Sequence, residues 1–175
     1  METNLPDRDS TTVFNISELL DGQIKKLSQS KYGLMKTVSI DGVEEKIEIP
    51  GNEVNWEEAL KSFYELDISS PRLSLMYDFR EYDSASVHIR QYQRNRGEKN
   101  KVVLLRIEKY PNRSLRISAS ESSSNPISHS RSYTTIRFAQ DDDQELLIRQ
   151  FQLEGYQKII SRDTVYYSIV GIVNY

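Results

Sequence analysis

Apolar and polar positions change period once along this chain, near residue 73. Before it, Ile16, Leu19, Leu20, Ile24 and Leu27 recur at the spacing of one helical face, with Ser17, Glu18, Lys25, Lys26 and Ser28 elsewhere. Asn15 supplies the N-cap and Glu18 stands three residues on, as a capping box requires. A second helix opens at Asn55-Trp-Glu-Glu, with Trp56, Ala59, Leu60 and Phe63 as its stripe, and stops near Leu66 or Asp67, before Pro71. Between the helices, Thr37 to Ile40 and Lys46 to Ile49 alternate around Asp41-Gly42, which predicts a small hairpin.

After residue 73 the period is two. Strands are expected near Leu75 to Glu81, Ser86 to Gln93, Lys101 to Lys109, Ser114 to Ser120, Ser132 to Ala139, Glu145 to Glu154 and Thr164 to Val173. Most connections are too short for parallel crossovers, so neighbouring strands should run antiparallel. Val103, Leu105 and Ile107 alternate with Arg106 and Glu108, and Leu115, Ile117 and Ala119 with Arg116 and Ser118, which leaves one polar face. The expected fold is α+β: a curved antiparallel, meander-like sheet of about seven strands packed against two N-terminal amphipathic helices, with the small hairpin between them. An all-β barrel is the competitor. Residues 1 to 12 read as a flexible tail and 13 to 175 as one domain. Residues 120 to 131, rich in serine and containing Pro126, read as a long surface loop, and Asp141 to Asp143 as a solvated hairpin turn.

Composition narrows the chemistry. The chain has 175 residues, a formal net charge of -3 and 0 Cys, which removes disulfides, thiol nucleophiles and cysteine-ligated metals. His88 and His129 stand far apart, no calcium loop, GxSxG, SxxK, GxGxxG or P-loop occurs, and no apolar run is long enough to span a bilayer as a helix. No catalytic residue, metal or cofactor is therefore assigned.

Charge is uneven. Residues 1 to 85 carry 9 basic and 17 acidic side chains, residues 86 to 175 carry 14 and 9, and between 86 and 137 basic outnumber acidic by 11 to 3. Arginines interleaved with tyrosines on an open sheet face could hold an acidic protein or a glycan, and Arg90, Tyr92, Arg106, Arg116, Tyr133 and Arg137 are the candidate partner-binding residues. A one-sided sheet also needs a polar face for solubility, which arginine stems and tyrosines serve equally well. Sequence-specific nucleic-acid binding is not expected, since the chain is slightly acidic and lacks the motifs of the common modules.

The stretch from Leu19 to Tyr77 resembles a group of uncharacterised lipoproteins from Bacteroidetes-type bacteria. Trp56, Glu57, Leu60, Phe63, Asp67, Ile68 and Pro71 carry the resemblance, whereas Ser69 and Ser70 depart from the Asn-Lys of that pattern. It covers under half of the chain and brings no catalytic residues. It implies a domain outside the cytoplasm, held at the outer membrane by a lipid tether that this sequence would lack once a leader was removed; a cytoplasmic location is the alternative. The function expected is a noncatalytic extracytoplasmic domain that binds a protein or surface molecule through the basic, tyrosine-bearing sheet face. The alternatives are an enzyme with carboxylates such as Asp78 and Glu108 in a cleft between helices and sheet, and a structural envelope component.

Overall fold

The computed structural model describes residues 13–141 and 144–175. Helix α1 spans Ile16–Gln29, and Asn15 caps it by accepting the Glu18 N–H at 2.9 Å. Strands β1 (Gly33–Ile40) and β2 (Val43–Ile49) follow, joined by Asp41 and Gly42, whose positive φ angles of 50° and 83° make the tight hairpin turn. Helix α2 (Trp56–Leu60) gives way to a 3-10 helix over Lys61–Leu66, and α3 spans Pro71–Ser74. Then come β3 (Tyr77–Ser84), β4 (Val87–Arg94), β5 (Val102–Lys109), β6 (Leu115–Asn125), β7 (Ser128–Gln140), β8 (Leu146–Ile159) and β9 (Val165–Asn174).

All nine strands form one antiparallel sheet in the order β2-β1-β9-β8-β7-β6-β5-β4-β3. This corrects the expectation in two respects. The sheet has nine strands rather than about seven, because the hairpin set between the helices in sequence pairs with the last strand and extends the same sheet. The β1–β9 ladder is continuous from Gly33↔Asn174 to Ile40↔Tyr167, so it satisfies the backbone edge that β9 would otherwise leave open. The sheet is neither closed nor strongly curled, with β2 and β3 as its free edges, so the curved sheet and its barrel competitor both fail.

The helical layer also differs in detail. The expected second helix is α-helical for five residues only. Leu60, Phe63 and Leu66 are all buried at spacings of three, and 3-10 winding brings such positions into line where α-winding would not. Pro71 begins a third short helix instead of merely ending the second, because its missing N–H is harmless in a first turn.

The expected serine loop is the end of the β6–β7 hairpin. Its ladder runs from Glu121↔Ser132 to Asn125↔Ser128, leaving Pro126 and Ile127 as the turn. The Asn125 carboxamide oxygen accepts the N–H groups of Ile127 and Ser128, at 3.0 and 2.8 Å.

Helices and sheet bury one core on one face. Ile16, Leu20 and Leu27 of α1 join Trp56, Leu60 and Phe63, which meet Leu105, Ile117, Ile136 and Phe151 of the sheet. The Phe63 and Phe151 rings pack edge to face at 5.3 Å. Phe151 lies across Gly171, its cross-strand neighbour, where any Cβ would collide with the ring. Asp67, from the segment that carries the lipoprotein resemblance, accepts the Ser17 N–H at 2.8 Å and the Ser69 N–H at 2.7 Å, tying the first turn of α1 to the end of the 3-10 helix. Burial pushes its pKa up, but these bonds outweigh burial and hold it below its ordinary value.

Candidate binding face

Direct cross-strand partners share a face, so the register assigns every sheet side chain to the helix-covered or the uncovered side. One row on the uncovered side reads Glu108, Arg116, Arg137 and Gln150 across β5 to β8. A second reads Tyr133, Glu154, Ser168 and Ser39 across β7, β8, β9 and β1, and a third Arg131, Tyr156 and Tyr166. Of the six residues expected to bind a partner, Arg106, Arg116, Tyr133 and Arg137 therefore lie on this side.

Arg90 and Tyr92 do not. Both share the parity of Tyr77 and Phe79, which face the core. Tyr92 is buried with its ring 5.0 Å from Phe79, and Arg90 lies beside Phe14 and Leu19 at the end of the helical layer, its Nε donating to Glu81 at 2.7 Å. The carboxylates named for an enzymatic cleft, Asp78 and Glu108, both belong to the uncovered side rather than to a space between helices and sheet. Glu108 is buried and serves as an anchor: Arg116 Nε donates to it, and Arg106 Nη2 stands 3.4 Å away.

Two concavities mark the uncovered face. The first, about 360 Å³, is walled by Tyr133, Tyr156 and Tyr166 with Glu154, Ser39 and Ser168. Tyr133 and Tyr166 are 56% and 60% exposed, and the Tyr156 ring lies 6.0 Å from Tyr166 and 5.9 Å from His129. The second, about 460 Å³, lies at the sheet end where β5 turns into β6, and brings Arg116, Arg137 and Arg149 together with Tyr110, Asn112 and Ser114.

Arg149 arrives there through a bulge. Arg137 pairs with Gln150 and Phe138 with Ile148, so Arg149 is the extra residue of β8. Its guanidinium donates to the Gln140 carbonyl at 2.9 Å and lies 3.5 Å over the Tyr175 ring. Burial pushes the Tyr175 hydroxyl up to about 12, so that ring is neutral at physiological pH. Sequence inspection missed Tyr156, Tyr166 and Arg149. The two tyrosines belong to strands correctly expected, and only the register aligns them with Tyr133; Arg149 is displaced by a bulge that no residue type announces.

A larger groove, about 850 Å³, lies between α1 and α2 and is lined by Asp21, Lys25, Glu57, Glu58, Lys61 and Tyr64. Its charges are mixed, and Tyr64 donates to Asp21 at 2.5 Å across it. Among the described residues no group of three or more His, Asp or Glu side chains is placed to hold a metal ion, and no helix is long and apolar enough to cross a membrane. Asp141 accepts the Glu145 N–H at 2.7 Å in the β7–β8 turn; Asp142 and Asp143, like the tail expected over residues 1 to 12, lie outside the described residues. No protein-family model, curated protein or solved structure matches the chain, so the reading of this face rests on its geometry.

Proposed function

We propose that this is a noncatalytic binding domain that holds an acidic protein on the uncovered face of its sheet. The observation that carries the reading is that, on the face without a helical cover, exposed Tyr133 and Tyr166 accompany Arg106, Arg116, Arg131 and Arg137, which outnumber Glu108 and Glu154 across β5 to β8. Tyrosine buries much area while losing few rotamers, and arginine gives charge complementarity, so both suit a contact surface. Placement outside the cytoplasm is part of the proposal and rests on the lipoprotein resemblance over residues 19 to 77. A glycan is the second reading, favoured by the tyrosine-walled concavity with its Glu154 and serine hydroxyls. Assembly through the sheet edges, as a structural component would need, is opposed by Glu44, Glu45, Lys46 and Glu48 on β2 and by Asp78, Arg80, Glu81 and Asp83 on β3, since charged edges resist strand addition.

The test compares capture of envelope components by the intact protein, by Tyr133→Ser/Tyr166→Ser, and by Glu57→Gln/Lys61→Gln on the helical side. Loss of one protein band in the first variant alone, weakening as salt rises, is expected. Equal capture by all three folded proteins would remove the face as the binding surface, and a captured species resistant to protease but sensitive to glycosidase would replace the protein by the glycan.

A further inference from the structure

We propose that Arg116, Arg137 and Arg149 form a subsite for a tetrahedral oxyanion ester, a phosphate or a sulfate. The proposal rests on the reading of the uncovered face as the binding surface and names the chemistry of one end of it. Arg116 and Arg137 are directly opposed on neighbouring strands, an arrangement in which like charges repel and destabilise the pair. The β8 bulge then brings a third guanidinium to the same cleft.

Of the three, Arg116 is held by Glu108, which Arg106 also approaches, just as Glu81 holds Arg90. Among the described residues Arg137 makes no ion pair, Arg149 is bonded only to a carbonyl, and no carboxylate lines the cleft. Tyr110, Asn112 and Ser114 add neutral polar groups to a wall that Leu115, Phe138 and Ala139 also line, and the Arg116 guanidinium lies 5.8 Å over the Tyr110 ring.

The volume, about 460 Å³, is within the range of small-ligand sites. Guanidinium forks match phosphate and sulfate oxygens, and three of them on different strands suit an anion that presents oxygens in several directions better than a planar carboxylate, which one fork satisfies. The ester's organic group would leave the cleft toward the tyrosine rows of the same face.

The test titrates the whole protein with phenyl phosphate and, separately, phenyl sulfate, by calorimetry at fixed ionic strength. Saturable binding of at least one probe is expected, with Kd rising about tenfold or more in Arg137→Gln and unchanged in Arg72→Gln on the helical side. The probe bound more tightly assigns the ester. Arg137 is exposed and unbonded among the described residues, so its replacement keeps the fold; Arg149→Gln, checked by circular dichroism, should weaken the same probe. Absence of saturation with both probes, or equal weakening in Arg72→Gln, overturns the subsite. That result would leave the tyrosine-based capture result standing, whereas probe binding without partner capture would support the subsite and remove the partner.

Discussion

The side chain of Gln23, in the middle of α1, is bonded to strand β8 in both directions: its amide donates to the Leu146 carbonyl and its oxygen accepts the Ile148 N–H, each at 2.9 Å. The pairing of β8 with β9 begins only at Gln150, so these two backbone groups lie past the end of that ladder. Gln23 is 3% exposed and stands in for the absent strand, while the Tyr175 hydroxyl donates to the Ile148 carbonyl.

Gln23→Leu therefore keeps the volume and leaves a buried donor and a buried acceptor without partners. At about 1 to 3 kcal/mol for each, the loss should be about 2 to 6 kcal/mol of unfolding free energy. Urea denaturation followed by circular dichroism measures it, and a midpoint equal to that of the parent protein would show that the two bonds contribute nothing.

Gln23 also marks where reading the sequence stops. The stripe of Ile16, Leu20 and Leu27 was legible because apolar residues recur at helical spacing, but a glutamine on the same face reads as polar until its strand partner is known. Strand identities after residue 73 were legible from alternation. The attachment of Gly33–Ile40 to Val165–Asn174 was not, since nothing local encodes a pairing across more than a hundred residues. Arg106 and Arg116 were legible as polar-face residues from alternation within their own strands, whereas only the register puts Tyr133 and Arg137 on the same face. Arg90 and Tyr92 were assigned to it wrongly because parity within one strand carries no information about which side of the next strand it matches.

Trp56 starts α2 and is 2% exposed within the core, among the same side chains that anchor the sheet. Trp56→Ala should cost about 3 to 5 kcal/mol through lost burial and the cavity left behind. Its indole N–H lacks a hydrogen-bond partner among the described residues, so Trp56→Phe should cost less than the alanine change alone would suggest. Thermal melting of the two variants checks the order, and an alanine variant as stable as the parent would refute the anchoring role.

At the β3 edge, His88 lies between two carboxylates, with Nδ1 2.9 Å from Asp83 and Nε2 2.9 Å from Glu81, while Arg90 also bonds Glu81 and Lys109 stands opposite on β5. Asp83 first and Glu81 second raise the His88 pKa above its ordinary value, and Arg90 and then His88 lower that of Glu81. The His88 contribution is thus complete below about pH 6.5 and is lost as pH rises through the folded-state value; that of Glu81 is present above the ordinary carboxylate range and is lost as pH falls. NMR titration of the imidazole should place His88 above about 6.5, and Asp83→Asn should move it down. A His88 that titrates below that value in the parent protein would refute the bridged geometry.

Glu108 couples the stability of the sheet to the charge of its uncovered face. Its side chain is 5% exposed, whereas Arg106 and Arg116, which it holds, are 35% and 38% exposed. Glu108→Gln removes the charge that both guanidiniums share, and because water still reaches the arginines the loss should be about 1 to 3 kcal/mol, less than for a fully buried pair. The same change releases Arg116 from its carboxylate and adds one uncompensated positive charge beside Arg137. Affinity for phenyl phosphate or phenyl sulfate should therefore rise while the melting temperature falls, and the gain in affinity should shrink as salt is added. Opposite movement of the two quantities in one variant is the signature of a carboxylate that stabilises the sheet at the expense of the subsite. A fall in stability with unchanged probe affinity would place Arg116 outside the oxyanion site and leave Glu108 with a purely structural part.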